Sequence, residues 1–280
     1  MKKFLIFLVV AVMTTSAWAG GNSIQIKGSD TMVNLGQAWA EAYMQKHKEA
    51  LVAVTGGGSG TGIAALISNT CDIAEASRTM KEEEITQAKS KGINPKEWTV
   101  GLDGLAVVVN PTNPVSQLTI PQIADIFTGK IKNWKEVGGK DQPIVVLSRE
   151  VNSGTHVYFK EHVLHHNDVN KSVEFFSAAL LMPSSQAIAD EIAQNPSAIG
   201  YYGMGYLSKT QKAIAVAKDA AGPYYTPTME NVVSKKYYIS RPLMFYTNGN
   251  PQGVVKDFID FVFSAQGQQI VKDTDFVPVK

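Results

Sequence analysis

Ile24-Gln25-Ile26-Lys27-Gly28-Ser29-Asp30-Thr31-Met32 opens a stretch that runs on as an amphipathic segment to Lys48, and its reading decides the fold. Alternating residues end at a glycine, three small polar residues follow, and an apolar stripe of helical period begins: strand, turn, helix. Ser29, Asp30 and Thr31 compete as the N-cap, since each offers a side-chain oxygen to unpaired N–H groups. Leu51 to Thr55 reads as a second strand, Gly56 to Gly62 as a glycine-rich turn, and Ile63 to Ser68 as a short helix. Asp72 to Ala76 is a third strand ending at Ser77-Arg78, and Thr79 to Lys91 a Glu-rich solvated helix capped by Thr79. Gly104 to Asn110 is apolar and β-branched nearly throughout, as a strand buried on both faces requires.

Strands alternating with helices predict an α/β fold with mostly parallel, doubly wound sheets and flanking helices. After Asn110-Pro111 the alternation restarts. Ile120 to Phe127 is a helix with Pro121 in its first turn, Gln142 to Leu147 a strand and Ser153 to Leu164 a helix. Ser184 to Gln194 is a further helix and Ile199 to Tyr202 a strand; Leu243 to Thr247 and Gly253 to Phe263 supply the last strand and helix. No Pro/Ser-rich linker divides the chain into sequential domains. A chain of this length favours two lobes over one compact core: residues 20–107 open the first, 108–243 form the second, and 244–280 return to the first. With two lobes, the chain would cross between them on strands, near Val107–Val109 and again near Met244–Tyr246.

The N-terminus predicts export. Lys2 and Lys3 precede a ten-residue apolar run, Phe4 to Met13, and Ala17-Trp18-Ala19 is a small-x-small cleavage pattern. The run is shorter than the roughly 20 residues that span a bilayer. A leader over residues 1–19 and a periplasmic protein starting at Gly20 are expected. Without the two leader lysines, the 26 basic residues fall to 24 against 25 acidic ones. That near-neutral balance argues against nucleic acid or an anionic membrane as partner. Cys71 is the single cysteine, so no intrachain disulfide forms.

Three turns share one character: small residues and hydroxyls directly before a helix. They are Gly28-Ser29-Asp30-Thr31-Met32, Gly57-Gly58-Ser59-Gly60-Thr61-Gly62 and Arg149-Glu150-Val151-Asn152-Ser153-Gly154-Thr155. A helix N-terminus leaves N–H groups unpaired and carries about half a positive charge. Each turn alone is an ordinary cap. Three meeting at the C-terminal edges of the strands would form a preformed oxyanion cage, with Arg149 as a bidentate fork. Rival chemistries fail on spacing. Gly56 to Gly62 lacks the Lys-Ser/Thr ending of a nucleotide loop, and Thr61 stands where a serine-hydrolase elbow needs its second glycine. His162, His165 and His166 cluster without the carboxylates or thiols of a metal site. No nucleophile–base pair is readable, so neither catalysis, nor a cofactor, nor a metal is expected.

At these residues the chain resembles the periplasmic phosphate-binding proteins that feed ABC-type importers. The resemblance covers the mature chain and is most specific at Gly56–Gly62, at Ile126-Phe127-Thr128-Gly129-Lys130-Ile131-Lys132-Asn133-Trp134, and at Arg149 with Ser153-Gly154-Thr155. It implies two lobes joined by a two-strand hinge and closing over phosphate, with the membrane subunits of a permease as partner; a monomer is expected. By position it implies ligation by Thr31, the Met32 N–H, Ser59, Arg149, Ser153, and the N–H groups of Gly154 and Thr155. Ser77 and Arg78 stand where the family carries Ser-Asp and are kept in the candidate ligand set; with that aspartate replaced, the carboxylate that accepts the ligand's proton is unassigned, Asp103 being the first candidate and Asp30 the second. Asp30 is equally readable as a cap, and Asp103 as a partner of Arg78. Sulfate, molybdate or tungstate on the same fold is the alternative ligand set, and a secreted phosphatase a more distant one.

Overall fold

The computed structural model describes residues 21–166, 168 and 172–279; the expected leader lies outside them. The first part of the chain alternates strictly: β1 (Ser23–Gly28), α1 (Val33–Lys46), β2 (Leu51–Thr55), α2 (Ser59–Ile67), β3 (Ile73–Ala76) and α3 (Glu82–Ser90). Next come β4 (Pro95–Val109), β5 (Gln117–Thr119), α4 (Ile120–Phe127), β6 (Val145–Arg149), α5 (Gly154–Phe159), β7 (Leu180–Met182), α6 (Ser185–Gln194) and β8 (Ala198–Gly203). The remainder is β9 (Lys212–Ala213), β10 (Ala215–Ala217), α7 (Met229–Val233), β11 (Ser240–Asn248), α8 (Gly253–Val262) and α9 (Ala265–Asp273).

One strand path runs β2-β1-β3-β11-β4-β8-β6-β7, with β9 beside β4 and a separate β10-β5 pair. Each outer wing is parallel: β1 with β2 and β3, β6 with β7 and β8. The centre, β3-β11-β4-β8, is antiparallel. Both facts have one cause. β4 carries the chain out of the first wing and β11 brings it back, so these linking strands must oppose each other. β4 changes partner between Gly104 and Leu105, pairing upstream with β11 and downstream with β8. The wings are the two lobes of an α/β fold hinged on β4 and β11.

Apolar stripes dock the helices on this sheet. Leu35, Trp39 and Tyr43 share one face of α1 and are buried, and the Trp39 indole N–H donates to Gly267 O in α9 at 2.8 Å. Burial of such aromatic faces contributes on the order of 2–3 kcal/mol per side chain. α4 begins with Thr119, whose hydroxyl accepts from Gln122 N while Gln122 Oε1 accepts from Thr119 N. Ile126 and Phe127 at its end are buried in the main core with Trp134, whose Nε1 donates to Ser197 O at 2.9 Å. The Ile126–Trp134 motif is therefore a packing element of the second lobe.

Several boundaries differ from the sequence reading. β4 extends nine residues upstream of Gly104, where Lys96, Glu97 and Asp103 interrupt the apolar pattern. α2 begins at Ser59 inside the glycine-rich turn, with Gly58 as its cap. Thr79 is not the cap of α3: Lys81 is, and Glu84 accepts the Lys81 backbone N–H at 2.8 Å. None of Ser29, Asp30 and Thr31 caps α1, which starts after Met32 with no side-chain cap bond. Among the described residues, no helix is long and apolar enough to cross a membrane.

Candidate anion site

The three turns meet where the lobes face each other, at the C-terminal ends of β1, β2 and β6, with Ser77 beside them from the end of β3. Thr31 from the first lobe and Thr155 from the second bring their hydroxyl oxygens to 2.9 Å. Ser59 Oγ accepts the Ser77 N–H at 3.0 Å and lies 3.4 Å from Ser77 Oγ, which itself accepts from the Ser29 hydroxyl at 2.8 Å. Gly154 completes the approach: a Cβ there would lie 2.2 Å from Ser59 Oγ and 2.8 Å from Ser77 Oγ. Only a residue without a side chain lets α5 come this close. Ser153 caps α5, its hydroxyl accepting from His156 N at 3.4 Å. Met32 is buried, and its N–H, implied as a ligand donor, donates to Ser29 O at 2.9 Å.

Three arginine–carboxylate pairs surround these hydroxyls. Arg149 Nη2 donates to Asp30 Oδ2 at 2.6 Å across the cleft, and Asp30 Oδ1 accepts from Gly57 N. The rest of the Arg149 fork is held by Met182 O, Pro183 O and Ser185 Oγ. Arg78 forms a two-bond pair with Glu84, at 2.6 and 2.8 Å, and so does not pair with Asp103. The partner of Asp103 is Arg241, which donates to Asp103 Oδ2 from Nε at 3.0 Å and from Nη2 at 2.9 Å. Both members of that pair are fully buried. Asp103 Oδ1 accepts the Met204 N–H at 2.9 Å. Removing one partner of such a pair strands a charge in low dielectric, at a cost of about 3–5 kcal/mol.

Contacts beside the hydroxyls hold the lobes together. Gly60 N donates to Asn152 O at 3.0 Å, and Asn152 Nδ2 donates to Gly57 O at 2.8 Å. Gly58, at φ +92, would put a Cβ 2.7 Å from Asn152 O, so this lip is also built on a missing side chain. Behind Asp30, Glu75 of β3 is fully buried with both carboxyl oxygens unpartnered. Burial first, and the charge of Asp30 second, push its carboxyl well above the ordinary carboxylate range. Elsewhere, two of the clustered histidines are spent on backbone carbonyls: His162 Nδ1 lies 2.9 Å from Tyr158 O and His165 Nε2 lies 2.8 Å from Val173 O.

Neutral donors thus meet between the two lobes, ringed by paired charges, and the model of a PBP superfamily domain matches residues 14–266. The chain belongs to the PBP superfamily. Phosphate-binding protein PstS of Bacillus subtilis (strain 168) is 34% identical over 258 residues, covering 92% of this chain and 81% of that protein. The solved structure of a putative phosphate ABC transporter substrate-binding protein with bound phosphate from Clostridium perfringens superposes with a TM-score of 0.83 at 36% identity. It spans 92% of this chain and 100% of its own. An ABC-type phosphate transport receptor from Vibrio cholerae matches at a TM-score of 0.72 and 33% identity, over 91% of this chain and 99% of its own.

In this PBP-superfamily chain, sequence reasoning brought forward Thr31, Ser59, Ser77, Asp103, Gly154 and Thr155, which the fold places together. Asp30, Arg149 and Ser153 flank them, while Arg78 turns to Glu84. Arg241, Asn152 and Tyr158 were missed. One signal for Arg241 was available: a lone charge in Ser240-Arg241-Pro242, opening an otherwise apolar strand. Nothing marks Asn152 in the sequence, because its part is played by a backbone carbonyl and an amide at a lip.

Proposed function

We propose that this protein captures inorganic phosphate between its lobes and delivers it to the membrane subunits of an ABC importer. The observation that carries this reading is the meeting of hydroxyls from both lobes, Thr31 and Ser59 from one and Thr155 from the other, beside buried guanidinium groups. Uncharged donors stabilise a dehydrated anion without adding net charge, and they meet only when the lobes are together. Phosphate-binding relatives over nearly the whole chain support the ligand. In this role Arg149 holds the closed form through Asp30, and the Gly154 and Thr155 N–H groups add donors from α5.

Asp103 is the best-placed acceptor for a ligand proton. A carboxylate offers about four acceptor sites, and Met204 N with the two Arg241 bonds uses all but one. A protonated phosphate oxygen can donate to the site that is left, whereas sulfate brings only lone pairs and repulsion. The lobes are assigned to residues 20–107 with 244–280, and to residues 108–243. The switch of β4 from β11 to β8 near that first boundary supports the division. Export to the periplasm and a monomeric state belong to the same reading. Calorimetric titration of ligand-stripped protein with phosphate, arsenate and sulfate tests it. Tight binding of phosphate and arsenate with weak sulfate binding is expected; preference for sulfate, or no heat with any anion, would overturn it.

A further inference from the structure

Two guanidinium groups are buried against the hydroxyl cage, and their surroundings differ in kind. Arg149 is held by a carboxylate, two backbone carbonyls and Ser185 Oγ, acceptors largely fixed by the second lobe and Asp30. Arg241 has a fixed side and a changeable one. Nε and Asp103 Oδ2, and Nη1 and Ser77 O at 3.1 Å, form the fixed side. Nη2 faces Asp103 Oδ2, Thr31 Oγ1 at 3.3 Å and Thr155 Oγ1 at 3.0 Å, more acceptors than an NH2 group has hydrogens. The two threonines belong to different lobes, and their hydroxyls rotate freely into donor geometry. An anion oxygen among them would take the Nη2 bond and receive both hydroxyl protons, which improves every contact in the set.

We propose that Arg241, on the hinge strand β11, is the guanidinium that binds the tetrahedral anion directly, and that Tyr158 is its positioning residue. The inference deepens the phosphate reading and rests on it for the ligand class. Tyr158, on α5 of the second lobe, puts its ring 5.5 Å from the Arg241 Cζ and donates its hydroxyl to Ser240 O at 2.6 Å. The same ring is stacked on His162 at 3.7 Å and 15°. The plane of the guanidinium is thus set by an aromatic face from one lobe and by Asp103 and Ser77 O from the strands it crosses. Anion binding at Nη2 joins Thr31 to Thr155 through the hinge strand itself, so occupancy and closure become one event.

The test is calorimetric titration of four variants with phosphate and sulfate, with a thermal melt of each to establish folding. Arg241→Lys keeps the charge and loses the planar fork; phosphate affinity should fall at least ~30-fold. Arg241→Gln with Asp103→Asn removes both buried charges together and so keeps the core neutral; the loss should reach ~100-fold. Tyr158→Phe retains the ring and should stay within about threefold, whereas Tyr158→Leu removes the aromatic face and should lose about tenfold. A folded double variant that binds phosphate within threefold of the unaltered protein would overturn the role of Arg241. Equal affinities for Tyr158→Phe and Tyr158→Leu would overturn that of Tyr158. Should the unaltered protein prefer sulfate, the phosphate reading fails and Arg241 is judged on sulfate by the same criterion; binding of no anion at all overturns both.

Discussion

Gly154 shows how much of this site is decided by single atoms. A methyl group there would fall 2.2 Å from Ser59 Oγ, so Gly154→Ala must push α5 back from the first lobe. The expected result is a loss of about 1–3 kcal/mol in stability, from overpacking, and at least tenfold in phosphate affinity. A melt and a titration of the same preparation measure the two effects. Glu75 gives a second prediction at this scale. Its raised carboxyl pKa means that the folded protein keeps a proton which the unfolded chain gives up above the ordinary carboxylate range. Its contribution to stability is complete at low pH and falls as pH rises towards the folded value. Glu75→Gln carries no such proton, so its stability relative to the unaltered protein should improve from pH 5 to pH 8 in denaturant titrations. A constant difference would contradict this. The residues of the cage were readable from sequence where hydroxyls precede a helix, as at Thr31, Ser59 and Ser153-Gly154-Thr155. Their charge partners were not, because Arg241 with Asp103 and Arg149 with Asp30 are joined only by the closing of the sheet.

At the level of elements, helices with a side-chain cap and a clear apolar stripe were readable nearly to the residue. α4, with Thr119 and Pro121 at its start, is the best case. Long-range pairing hid the rest. The upstream half of β4 reads as polar because its charged side chains are answered by β11, some 140 residues later. Short strands such as β7 and β9 exist because a neighbour offers an edge, and local sequence carries little sign of that. The Ile126–Trp134 segment separates packing from binding. Trp134 is almost fully buried and hydrogen-bonded to Ser197 O, so Trp134→Ala should cost about 3–5 kcal/mol in urea denaturation. Phosphate affinity measured below the unfolding transition should change less than threefold. A large affinity loss without destabilisation would give that segment a part in the site.

Across the molecule, a two-strand hinge turns local contacts into closure. β4 and β11 pair with each other at the middle of the strand path, and the lips meet through Asn152, Gly57 and Gly60. Asp30 and Arg149 are the one ion pair among the described residues that joins the first turn to the third. Asp30→Asn should therefore reduce phosphate-induced compaction in small-angle X-ray scattering and weaken affinity at least tenfold, while leaving Arg241 and the hydroxyls in place. Unchanged compaction would show that this pair does not hold the closed form. The account as a whole depends on one anion being gripped by both lobes at once. A crystal structure of the protein grown with phosphate addresses that directly. It should show a single phosphate within hydrogen-bond distance of Thr31, Ser59 and Thr155, with Arg241 beside it. Phosphate bound to one lobe only, or remote from these hydroxyls, would contradict the account.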